Sequence, residues 1–157
     1  MDIQADNDNA KSGIAQTGTI DVTPQVVCND IGGLLKYFKM HIAELAELHG
    51  LTSIQLYALT AMQQEGSSMG KLAQTLHCDA SNVTGIVDRL SALDLITRQE
   101  NPLDRRVKTL QLTTRGCQVL AAANSELPGR LNCTALSAAE RVTLHKLLSK
   151  INPTNIV

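Results

Sequence analysis

Two groups of residues have the types and spacing for chemistry with an anion. In the stretch NPLDRRVKTLQLTTRG, residues 101–116, Asp104, Arg105 and Arg106 stand together just after a turn-forming Asn101-Pro102. An arginine guanidinium is a permanent cation with a planar fork of donors, suited to a phosphate or to a narrow groove of negative potential. Upstream, Ser81, Thr84, Gly85 and Asp88 recur at i, i+3, i+4 and i+7, with Asn82 and Arg89 beside them. On a helix that spacing gathers them on one side. They are small or hydrogen-bonding, so such a face can enter a major groove and meet base edges, its N-terminal residues deepest. A plain solvated helix can carry the same residues, and the pattern alone leaves both readings open.

Other chemistries find less support. No nucleophile elbow, phosphate loop or His-Glu-x-x-His frame is present, so no enzymatic function is expected. Cys28, Cys78, Cys117 and Cys133 form no CxxC pair, and no metal site or cofactor is expected. The first residues are polar and acidic rather than basic then apolar, and no run of about 18 apolar residues occurs. The expectation is a cytoplasmic protein whose thiols are reduced, several of them buried. The net charge of −1 excludes a basic footprint over the whole chain, but the distribution is uneven. Residues 1–30 have five Asp against one Lys, whereas residues 71–115 have seven Lys and Arg against five Asp and Glu. A local basic patch suffices for nucleic acid.

The elements that must position these residues follow from periodicity. Aromatics are 2% of the chain, so the core is aliphatic, which favours helices. Residues 1–24 read as a disordered acidic tail. Ile31, Leu34, Leu35, Phe38, Ile42 and Leu45 predict a helix over about 25–49, with a second row at Tyr37, Met40, His41 and Leu48. So wide a stripe needs more than one partner surface. Gly50 ends that helix, and Thr52 with Gln55 suggests a capping box for the next, about 53–64. Residues 65–68 read as a turn. Short helices follow at about 69–76 and, capped by Asp79, about 80–94. Period-two stretches at 96–100 and 107–113 predict a hairpin. Thr113 or Thr114 starts a helix over about 114–126, which Pro128-Gly129 is expected to interrupt or kink. Ser137 and Glu140 box the last helix, with Leu144, Leu147, Leu148 and Ile151 as its stripe. Over 53–113 the order is helix, short helix, helix, hairpin: a helix-turn-helix followed by a wing.

The segment 79–116 resembles the MarR family of bacterial winged-helix regulators. The resemblance rests on VTGIVDRL (83–90), LDLITR (93–98) and NPLDRRVKTLQLTTRG (101–116). It implies a mainly α fold with a small β-hairpin wing, in which residues 51–113 bind DNA and residues 25–50 and 114–152 form a homodimer. It further implies a near-palindromic duplex as partner, read at successive major grooves. Ser81, Asn82 and Thr84 fall at the family's recognition-helix contacts, with Gly85 where other members often have a longer side chain. Arg106 matches the arginine that enters the minor groove, with Arg105 beside it. Asp104 matches the acid that shapes the wing tip, and Arg89 is its expected partner. Lys71, Arg98 and Lys108 are candidate phosphate contacts.

The implied function is a repressor released by a small aromatic or phenolic effector, with Tyr37, His41 and Tyr57 as candidate pocket residues. Three alternatives stand beside it. Cys28 or Cys78 could sense oxidation. Cys28, His41 and Glu44 could contribute to a metal-responsive site. The winged helix could also serve protein contacts alone.

Overall fold

The computed structural model describes residues 22–63, 67–100 and 108–152. The tail before Val22 and the wing tip with Asp104, Arg105 and Arg106 lie outside the described residues, and Lys108 is described as backbone only.

Helix α1 (Pro24–Leu48) opens on Pro24, with Thr23 as its cap. Proline suits the first helical position because its missing N–H would have no intrahelical acceptor there. The helix stops where Gly50 turns left-handed at φ +67°, which lets the Leu51 N–H reach back to the Ala46 carbonyl. Next come α2 (Ser53–Gln63), a two-residue strand β1 (Ser67–Ser68), α3 (Met69–Leu76) and α4 (Ala80–Ala92). Strands β2 (Ile96–Glu100) and β3 (Lys108–Leu112) lead into α5 (Thr114–Arg130), a 3-10 turn at Cys133–Ala135, and α6 (Ala138–Ile151).

Three features differ from the sequence reading. Residues Ser67 and Ser68 are a strand rather than part of a turn, and they pair with β3 on the edge opposite β2. Ser68 also caps α3, its hydroxyl accepting from the Lys71 N–H. Helix α5 runs through Pro128 instead of breaking before it. A proline near the end of a helix removes only one donor, and here the last turn is held from outside. The Tyr37 hydroxyl donates to the Arg130 carbonyl at 3.1 Å, and the Arg130 side chain meets Glu44 and Glu126, each at 3.2 Å. The third difference concerns the thiols. None is fully buried: Cys28 and Cys117 are exposed, Cys78 and Cys133 half-buried.

The core lies where α1, α2, α3, α4, α5 and the sheet converge. Leu45, Leu59, Leu72, Val83, Val87, Leu90, Leu110 and Leu120 are its fully buried side chains. Each such aliphatic side chain contributes about 1.5–3 kcal/mol by leaving water. Only the C-terminal part of α1 shares in this, through Ile42, Leu45 and Ala46. Ile31, Leu34, Leu35 and Met40 stay exposed, and α6 buries no residue at all.

Candidate nucleic-acid interface

Helices α3 and α4 are joined by a three-residue turn, His77-Cys78-Asp79. His77 adopts φ +49°, and its N–H and that of Cys78 close the end of α3 on Gln74 and Ala73. Asp79 then caps α4 from extended backbone. The tight turn presents α4 across α3 as a helix-turn-helix does. Val83, Val87 and Leu90 hold its back in the core, while Ser81, Asn82, Thr84, Gly85, Asp88 and Arg89 are exposed. The expected outward face is therefore the observed one.

Its first turn is a connected set. The Ser81 hydroxyl donates to Asp79 Oδ1 at 2.6 Å, as does the Asn82 backbone N–H at 2.9 Å. Asn82 Nδ2 donates to Asp79 Oδ2 at 3.1 Å. These bonds hold the Asp79 carboxyl below the usual carboxylate range, the Ser81 hydroxyl first among them. Thr84 donates to the Ala80 carbonyl at 2.9 Å, which leaves its oxygen outward as an acceptor.

The wing is tied to this helix. Arg98 on β2 pairs with Asp88 on α4. So Arg98, expected at a phosphate, braces β2 against α4, and Asp88 is partnered rather than facing the groove alone. Arg89 is exposed in the last turn of α4, and its expected partner Asp104 is outside the described residues. Lys71 is exposed on α3. Leu110 is fully buried and Leu112 packs half-buried against the core, so β3 is anchored as its alternation required. Behind it, the Thr113 N–H bonds to the Leu95 carbonyl and its hydroxyl donates to the Asp94 carbonyl.

The candidate effector residues separate. Tyr37 and His41 meet edge to face, ring centroids 4.4 Å apart, and His41 Nδ1 lies 3.0 Å from Glu44. With Arg130 they form a brace between α1 and α5, and neither lines the clefts found around Tyr57. His41 Nε2 is buried without a hydrogen-bond partner among the described residues. Tyr57 lines a cleft of about 320 Å³ with Ile54, Thr60, Ala61, Thr75 and Leu76. On its other side is a cavity of about 110 Å³ bounded by Phe38, Ile42 and Leu127 among others. Burial pushes the Tyr57 phenol above its ordinary pKa, so it stays neutral. Cys28 and His41 share one continuous helix and lie about 20 Å apart along its axis, too far for a common metal ion.

Residues 49–107 match the model of the MarR family. The transcriptional repressor NicR of Pseudomonas putida is 32% identical over 149 residues, which cover 90% of this chain and 94% of NicR. Apo MarR from E. coli superposes with a TM-score of 0.68 at 25% identity, over 81% of this chain and 96% of that one. BpsR of Bordetella bronchiseptica, whose DNA binding is regulated by 6-hydroxynicotinic acid, shares the fold with a TM-score of 0.61. Its identity is 22%, over 82% of this chain and 94% of BpsR. With α4 exposed on a helix-turn-helix and a hairpin behind it, the chain belongs to the MarR family of DNA-binding transcriptional regulators.

Proposed function

We propose that this protein is a dimeric repressor that lays α4 in the major groove of a near-palindromic operator. The single observation behind this reading is the division of α4. Its back is sealed into the core at Val83, Val87 and Leu90, while Ser81, Asn82 and Thr84 are exposed at the end that a groove receives most deeply. In this reading residues 51–113 bind DNA, Arg106 enters the minor groove with Arg105 beside it, Asp104 shapes the tip, and Lys71 and Lys108 meet phosphates. Residues 25–50 and 114–152 join two copies.

A small aromatic or phenolic compound would release the DNA by shifting the population toward a different spacing of the two α4 helices. The cleft beside Tyr57 supports a neutral phenol over an aromatic acid. Its lining residues carry no charge, so no cation there would pair with a carboxylate.

Fluorescence anisotropy on the DNA upstream of its own gene, against a scrambled duplex over a salt series, tests this. The upstream duplex should bind more tightly, and Arg106→Ala should weaken it by about tenfold, with a shallower salt slope. Phenol should release the DNA at concentrations where benzoate does not. Equal affinity for both duplexes at every salt concentration would overturn the regulator reading for that operator. Release by benzoate alone would overturn the choice of a neutral effector.

A further inference from the structure

Asp79 does more than cap α4. Its two carboxylate oxygens accept from the Ser81 hydroxyl, the Asn82 backbone N–H and the Asn82 side-chain amide, at 2.6, 2.9 and 3.1 Å. An ionised carboxylate only accepts, so every partner must donate to it. That decides what the partners have left. Ser81 has one hydroxyl hydrogen and gives it to Asp79, so its oxygen faces outward as an acceptor only. Asn82 must turn Nδ2 toward the acid, which leaves Oδ1 and the second amide hydrogen outward. An acceptor beside a donor is the complement of the adenine major-groove edge, whose N6 donates and whose N7 accepts.

We propose that Asp79 is a specificity-determining positioning residue: by fixing the hydrogen-bond polarity of Ser81 and Asn82, it makes the first turn of α4 select adenine where Asn82 meets the operator. The inference rests on α4 occupying the major groove, as proposed above. A serine or asparagine would cap the helix about as well. Neither would compel both neighbours to donate. Asparagine has an NH2 of its own that seeks acceptors, and so it favours the opposite turn of the Asn82 amide. The acid also places a negative charge near the phosphates and weakens binding to every duplex alike. Selectivity and affinity thus move in opposite directions at this residue, and that separates the proposal from a plain capping role.

The test measures the full-length protein against operator duplexes in which each base pair is varied in turn, for wild type, Asn82→Ala, Asp79→Asn and Asp79→Ser. Far-UV circular dichroism and Tm check that each variant keeps its helices. Asn82→Ala should flatten the preference for adenine at one position by about tenfold. Asp79→Asn and Asp79→Ser should flatten the same position while binding scrambled DNA more tightly than wild type. If the Asp79 variants gain affinity for all duplexes by one factor and keep that preference, Asp79 is only a cap and the proposal fails alone. A base other than adenine at the Asn82-dependent position also overturns it. If Asn82→Ala leaves every preference unchanged, Asn82 reads no base and the proposal fails alone; if wild type itself prefers no base at any position, the α4 reading fails with it.

Discussion

Gly116 occupies a place that no side chain can share. A Cβ there would fall well inside van der Waals contact of the Leu95 carbonyl oxygen, which is backbone and cannot rotate away. That carbonyl accepts from the Thr113 N–H, and the Thr113 hydroxyl accepts from the Gly116 N–H at 3.0 Å. One threonine and one glycine therefore lock the start of α5 onto the strand entrance behind α4. Gly116→Ala should lower unfolding stability by about 1–3 kcal/mol, the usual range for overpacking. A urea melt with an unchanged midpoint would contradict this. The Leu112-Thr113-x-x-Gly116 pattern was legible as a family mark, but its cause was not, because Leu95 is brought there only by the turn between α4 and β2. Asp88 and Arg98 show the same limit. Spacing put Asp88 on the groove face and the family resemblance put Arg98 among the phosphate contacts, and only the fold brings the two together.

At the scale of elements, local signals set the helix starts. Asp79, Thr113 and Ser137 each cap a helix from a position its sequence marks, whereas Thr23 and Pro24, read as part of the tail, open α1. The ends were harder to read. Pro128 signals a stop, yet α5 continues because Tyr37, Glu44 and Glu126 hold its last turn, and two of these come from α1. Strand β1 was missed because two serines have no period, and their pairing with β3 is long-range.

Helix α6 depends most on its own cap. The Glu140 carboxyl accepts from the Ser137 N–H at 2.7 Å, and the Ser137 hydroxyl accepts from the Glu140 N–H. The box holds the Glu140 carboxyl below its ordinary range, chiefly through Ser137. A depressed folded pKa stabilises above the unfolded value and loses that contribution as pH falls through the folded one. Ellipticity at 222 nm should therefore fall more steeply between about pH 5 and pH 3 in wild type than in Glu140→Gln. Parallel acid profiles would rule out a role for this carboxylate.

At the scale of the whole molecule, α1 and α6, proposed to join two copies, leave apolar side chains uncovered. Leu34 is 52% exposed on α1 and Leu147 52% exposed on α6, with Leu35, Leu144, Leu148 and Ile151 also uncovered. A helix as short as α6 is marginal in water without a surface to pack against. A second copy provides that surface in the proposed dimer. Leu147→Asp with Leu148→Asp should leave the core intact, because neither side chain enters it, and should yield a monomer in sedimentation. It should also weaken operator binding by well over tenfold, since two half-sites are then no longer held together. A wild type that sediments as a monomer at micromolar concentration would remove the dimer from the account.

The unbroken α5 has a mechanical consequence. A single residue, Thr113, separates it from β3, and its far end is fastened to α1. Its 17 residues span about 25 Å as one continuous helix. Tilting such a helix by about 5° at one end moves the other by about 2 Å, comparable to the helix shifts that switch other regulators. A tilt of α5 where it meets α1 would therefore be felt at the hairpin as a displacement, as in a crank.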